Sequence, residues 1–391
     1  MTLKLFYNLI GTISDKLLVV YIAIILLDRL GLNEFGKWSV YYQFALLFYD
    51  FIYSPQLTLM SINYTKSGKD SFKLYKPYYY ILVSIIIIIL YYTFFSNLQL
   101  ISIVEIGFAV ILGYYNYSVL FLRFEGKDLD YFIASLLKLT LFIIFIELSY
   151  KFTGSISYST ILIAIFIAYL FVLLYSYKKQ NILLRGIENN IDRYFFFSNS
   201  LYGASTSNIN GSDKFAIKYL TQNLELVGAY SFITYIVTLP TIVIEAIKKS
   251  VIPNIYKNIE KKGNENTWSI KYLIIIGFLI QLITPVIVYY LLVETNIINL
   301  NIDSYNITKY DIIILSFGYA IYTFYHYFNP FYFYNKRTDL LLLITLMCFI
   351  GYLICVTIME NSLSNFILAK ASMLIFVSSL TIIGNVYLKR Y

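Results

Sequence analysis

The sequence is poor in charge: only 13% of its 391 residues are Asp, Glu, Lys or Arg, against 59% hydrophobic. A water-soluble globular domain carries about a quarter of its residues as charges, so that class is excluded. Histidine is nearly absent. The single His326 has no second ligand at helical spacing and reads as a packed or hydrogen-bonded side chain, not as a metal ligand. Two cysteines, Cys348 and Cys355, lie seven apart in one apolar stretch, which suits apolar packing more than a disulfide or a metal site. There is no phosphate loop, nucleophile triad or paired-carboxylate site, so the chain reads as a non-enzyme that needs neither cofactor nor metal. A cleavable signal is also lacking, because the first apolar stretch holds Asp15 and Lys16 and no small-residue cleavage site follows it.

What the sequence has in plenty is continuous apolar chain. Mean hydropathy is +0.69, and stretches such as "YYYILVSIIIIILYYTFF" recur to the last line. Barrel strands alternate lipid-facing and lumen-facing residues, so unbroken runs of this kind predict an all-α polytopic membrane protein. About twelve spans are expected, at 8–28, 38–60, 77–96, 100–122, 131–150, 158–177, 196–219, 226–247, 270–293, 310–334, 340–359 and 365–387. With the N-terminus inside, 21 of the 30 Lys and Arg residues fall in cytoplasmic segments, whereas only Arg29, Lys37, Lys151 and Lys309 fall clearly at the other surface. That bias places both termini in the cytoplasm and supports an even number of spans. It also accounts for most of the net charge of +8, which then needs no nucleic-acid partner.

The longest polar connections, 178–195 and 249–268, are both on the cytoplasmic side, and the external ones are all short. A polysaccharide polymerase or glycosyltransferase working outside the cell would need a substantial external loop to hold its acceptor. The loop at 178–195 separates two sets of about six spans, 1–190 and 191–391. Aligned on glycine, Glu34-Phe35-Gly36-Lys37-Trp38-Ser39 faces Leu226-Val227-Gly228-Ala229-Tyr230-Ser231: a turn glycine, one residue, an interfacial aromatic and a serine. Both copies follow an outward-running span, so the halves are expected to be parallel repeats about an axis along the membrane normal. The tripeptide Ser-Asp-Lys occurs in both halves too, but Asp15 precedes its glycine by 21 positions and Asp213 by 15. Those triplets are out of register by roughly 9 Å of helix rise, so only the strategy of carrying charge into the bilayer is shared.

The segment "GSDKFAIKYLTQNLELVGAYSFITYI" resembles the seventh and eighth spans of Wzx-type polysaccharide flippases, in which an Asp and a base are followed by a short turn and a V-G-x-Y-S pattern. "FLRFEGKDLDYFIASLLKL", at 121–139, resembles the connection between that family's fourth and fifth spans. The chain is somewhat short for the family, and Lys214 stands where Arg is common; a Lys still binds phosphate but lacks the planar bidentate fork. The resemblance implies a MATE-like architecture in the superfamily that includes multidrug exporters and the lipid II flippase. Its substrate would be an oligosaccharide linked through pyrophosphate to undecaprenol, moved from the cytoplasmic to the periplasmic leaflet of the bacterial inner membrane. A gradient of protons or sodium ions would drive it, and a polysaccharide polymerase would take its product.

Such a substrate requires a polar, partly cationic cavity through about 30 Å of hydrocarbon, open alternately to each side. Intramembrane charge costs about 2.5 to 3.5 kcal/mol per central residue, so each instance needs a reason. Lys16 and Lys214 are the first candidates for the pyrophosphate, with Lys138 and Lys370 as further members of a cationic lining. Asp15, Asp50 and Asp213 are candidates for ion coupling or for holding those lysines; the competing readings are structural interhelical pairs for Lys16, Lys214 and Asp50, and snorkelling to an interface for Lys138 and Lys370. Lys218 shares a helical face with Lys214 and is expected to reach the outer interface. "SNSLYGASTSNINGSDK" is too polar to face lipid on any side, which suits a wet cavity wall or tight helix packing. Two rivals stand beside the flippase: an ion-coupled exporter of amphipathic cations, which predicts an acidic cavity, and a membrane enzyme of polysaccharide assembly.

Overall fold

The computed structural model describes residues 7, 10, 11, 13, 14, 17, 18, 21–52, 103–124, 126–180, 193–260, 268–294, 308–334 and 337–388. Asp15, Lys16, the expected span at 77–96 and most of the connection at 178–195 lie outside them. Among the described residues the secondary structure is helical. A π-helical turn, Tyr21–Ile25, leads into α1, Leu27–Ile52. Then follow α2, Ile103–Phe124; α3, Asp128–Thr153; α4, Tyr158–Gln180; α5, Arg193–Thr221; and α6, Leu224–Glu260. The chain continues through α7, Trp268–Tyr289, with a π-helical turn at Tyr290–Glu294, and ends in α8, Lys309–Tyr334; α9, Thr338–Ile358; and α10, Leu363–Leu388. Six of these helices are long and apolar enough to cross a membrane. The all-α polytopic class expected from the apolar runs is the class observed.

The connection expected at 249–268 is largely helix instead. α6 runs on to Glu260, 37 residues in all and about 55 Å long, well beyond the thickness of the hydrocarbon. Its basic end looks like a loop in a hydropathy reading because a helix that leaves the bilayer needs no apolar residues. Turns are made by residues that tolerate positive φ. Gly31 (φ 72°) breaks α1 near its start, Gly154 (φ 71°) ends α3 in the left-handed conformation, and Gln222 (φ 54°) turns the chain between α5 and α6. Asn223 then caps α6, its Oδ1 accepting from the backbone N–H groups of Glu225 (2.9 Å) and Leu226 (3.1 Å).

The described chain forms two compact units. One comprises residues 1–18 and 41–207, the other 19–40 and 208–391, so α1 and α5 each give one segment to each unit. In the first unit α2, α3 and α4 pack on one another. Its aromatic core includes Tyr115 and Tyr169, ring centroids 4.5 Å apart, and Phe108 stacked on Tyr169. Gly203 of α5 lies so close to the backbone carbonyl of Asp50 that a β-carbon there would collide with it. In the second unit α8 packs on α10, α7 and α6, and α9 covers α10. Gly318 of α8 meets the backbone of α10, with room for a β-carbon only 2.8 Å from Ala371 Cα.

The glycines aligned from the sequence, Gly36 and Gly228, meet in the second unit. A β-carbon on Gly36 would strike the carbonyl oxygen of Leu224, and one on Gly228 would strike that of Leu32. Each glycine therefore faces the carbonyl four residues before the other, a reciprocal crossing at backbone contact of the kind small residues permit in membranes. The aromatic residues of the motif, Trp38 and Tyr230, are fully buried instead of lying at an interface. Close backbone approach at the glycines folds the following turn of each helix inward. Phe35 and Trp38 stack at 5.6 Å, and Tyr235 packs against both rings.

Candidate functional site

The polar helix α5 brings its charge into the second unit, about two turns before its end. Ser198, Asn199, Ser200, Ser205, Ser212, Asp213 and Lys214 are all buried, whereas Asn210 is exposed. Most of the described polar side chains of this helix are thus turned toward protein, as expected of a polar membrane span. Asp213 is the hub. Its Oδ2 forms a 2.7 Å ion pair with Lys370 Nζ of α10, the two side chains being 1% and 0% exposed. The same oxygen accepts a 2.6 Å hydrogen bond from the Tyr230 hydroxyl of α6. Its Oδ1 accepts from the backbone N–H of Lys214 at 3.0 Å. Lys370 Nζ also donates to the backbone carbonyl of Ile209, so the ammonium bridges a side chain and a main-chain acceptor of one helix.

Lys214 follows Asp213 in sequence but projects about 100° away around the helix, and its ammonium does not join the ion pair. Its Nζ lies 3.1 Å from the Tyr235 hydroxyl, to which it donates, and 4.4 Å from the centre of that ring. A cation over an aromatic face is attracted by the ring quadrupole, an interaction that strengthens with desolvation. Tyr319 of α8 and Tyr352 of α9 stand within electrostatic reach of Asp213. The Tyr352 hydroxyl is buried without a partner among the described residues. Counted by formal charge, the cluster holds one carboxylate and two ammonium groups. It combines an excess of one positive charge with tyrosine hydroxyls, a set suited to an anionic oxygen ligand.

Of the other residues singled out in the sequence, Lys138 lies in the first unit, buried on α3, its Nζ 4.8 Å from the centre of the Tyr115 ring and 5.4 Å from that of Tyr169. Asp50, also in that unit, is half-buried. Lys218 is half-buried on the last turn of α5. Asp15 and Lys16 lie outside the described residues. The structure therefore brings together Asp213, Lys214 and Lys370. The tyrosines that complete this cluster were not read from the sequence; with 42 Tyr in the chain, no composition signal separates Tyr230, Tyr235, Tyr319 and Tyr352 from the rest. A usable signal did exist for Tyr230, which belongs to the glycine-centred repeat. Among the described residues no group of His, Cys, Asp and Glu has the arrangement of a metal site.

Comparison with solved structures identifies the architecture. An outward-facing multidrug resistance MATE family transporter of the MOP superfamily superposes with a TM-score of 0.71 at 12% identity, over 98% of this chain and 94% of that one. The chain has the MATE fold. A MOP superfamily transporter from Pyrococcus furiosus, described as having a binding pocket of reversed polarity, matches at 0.68 and 13% identity, again over 98% and 94%. The eukaryotic MATE transporter AtDTX14 matches at 0.65 and 13%, over 97% and 95%. No protein-family model and no curated protein matches the sequence. At 12 to 14% identity the shared property is the MATE fold itself, carried over nearly the full length of each chain.

Proposed function

We propose that this protein is a flippase that carries undecaprenyl-pyrophosphate-linked oligosaccharide repeat units from the cytoplasmic to the periplasmic leaflet by alternating access. It works as a non-enzymatic carrier in the bacterial inner membrane with both termini in the cytoplasm. Its two parallel six-helix halves are 1–190 and 191–391. The MATE fold supports membrane transport, and the Wzx-like stretches at 121–139 and 211–236 support this substrate class. The observation that carries the reading is the charge of the cluster around Asp213. A pocket built for amphipathic cations needs surplus carboxylate, whereas here two buried ammonium groups stand against one carboxylate. Pyrophosphate supplies the missing negative charge, and the tyrosines offer hydroxyls and rings to the phosphate and the first sugar.

Lys214 is the pyrophosphate ligand in this account, with Lys16 and Lys138 as further cations along the route. Asp15 and Asp50 are the candidates for coupling to protons or sodium ions, and a polysaccharide polymerase is the downstream partner. The test is replacement of Lys214. Lys214→Ala abolishes surface polysaccharide while the protein remains at wild-type level in the membrane, and Lys214→Arg retains it. Normal polysaccharide with the Ala variant removes Lys214 from the site.

A further inference from the structure

Lys370 and Lys214 stand close to the same carboxylate, yet their surroundings differ. Asp213 spends Oδ2 on Lys370 and Tyr230 and Oδ1 on the backbone N–H of Lys214. Oδ2 already accepts from two donors and Oδ1 from the backbone, and the Lys214 ammonium turns instead to the neutral hydroxyl and ring of Tyr235. Lys370 is also tied to α5 through the Ile209 carbonyl and held in place by the backbone approach of Gly318 to Ala371.

We propose that Asp213 and Lys370 form a self-neutralising pair whose role is to keep the carboxylate away from Lys214, so that Lys214 alone presents an uncompensated cation to an anionic substrate. Lys370 is then a positioning residue and does not touch the substrate. Remove Lys370, and Asp213 is left unpaired beside the nearest remaining cation, Lys214; the cluster falls from a net charge of +1 to zero. Remove both members of the pair, and the net charge returns to +1 with Lys214 still unpaired. This predicts a loss in one single variant that a second loss of charge repairs.

The inference rests on the flippase reading for the identity of its anion, and the test separates the two. Trp38 lies 5.6 Å from Tyr235 and reports on the site, and Trp268, the other tryptophan in the chain, is removed by Trp268→Phe. In that background the full-length protein, reconstituted in vesicles, is titrated with farnesyl pyrophosphate by Trp38 fluorescence. Expected are saturable binding in the parent, binding roughly tenfold or more weaker in Lys370→Met and in Lys214→Met, and binding within about threefold of the parent in Asp213→Asn/Lys370→Met. A double variant that binds no better than Lys370→Met makes Lys370 a direct ligand or a purely structural residue and overturns the proposal. Thermal melting of the same proteins supplies the second measurement: Lys370→Met melts lower than the parent and the double variant recovers. If the parent binds no pyrophosphate, the flippase reading fails, and the pair itself is then judged on melting alone; a double variant no more stable than Lys370→Met overturns it there too.

Discussion

Lys138 and Lys370 are both lysines placed deep in apolar spans, and both are buried, yet the protein accommodates them by different means. Lys370 sits opposite a carboxylate at 2.7 Å and a backbone carbonyl in the second unit. Lys138 sits beneath two tyrosine rings in the aromatic core of the first. A charge-assisted pair in a low-dielectric interior is strong but unforgiving, because loss of one partner leaves the other charged and buried. A cation over aromatic faces is attracted more weakly, and the rings themselves stay neutral when it is removed. Position in a span says that a charge needs an answer; only the packing says which answer it gets.

The sharpest way to break this contrast is to remove one charge at a time. Lys370→Met or Asp213→Asn alone should cost about 3 to 5 kcal/mol of stability, read as a large fall in melting temperature of the purified protein. Loss of the two ring contacts in Lys138→Met should cost about 0.5 to 2 kcal/mol. Equal losses at Lys138 and Lys370 would erase the distinction. Between these two in size stands the glycine crossing. Gly36→Leu and Gly228→Leu each drive a side chain into the facing carbonyl and should each cost about 1 to 3 kcal/mol. Because the contact is reciprocal, the two variants should behave alike; a loss confined to one would contradict the reciprocity. The smallest effect is expected at the helix cap, where Asn223→Ala should cost about 1 kcal/mol and leave transport intact.

The sequence is informative where the signal is local. Apolar runs bounded by charge, Gly or Asn predict α3 at 131–150 and α10 at 365–387, and the helices found, Asp128–Thr153 and Leu363–Leu388, extend them by a few residues at their ends. The glycine motif is equally local, and it matches two positions that turn out to touch. It also misleads, since Trp38 and Tyr230 look like interfacial anchors and are core residues. Two features escape a local reading for physical reasons. The basic end of α6 has left the hydrocarbon, so hydropathy no longer marks it as helix. The partner of Asp213 comes from α10, and Lys370 meets Ile209 across 161 positions of sequence, a separation at which no helical periodicity operates. The sequence shows that Asp213, Lys214 and Lys370 are costly; their meeting at one place is a product of the fold.

The central claim is translocation of a lipid-linked anion, and the most direct measurement is the membrane side on which lipid-linked oligosaccharide collects in cells carrying Lys214→Ala or lacking the gene. Protection from an external glycosidase reads it. The account predicts complete repeat units trapped on the cytoplasmic face, protected from the enzyme, and released from protection by the wild-type chain or by Lys214→Arg. Single units that reach the periplasm and are digested there, but are never polymerised, would contradict it and assign the protein to the polymerisation step.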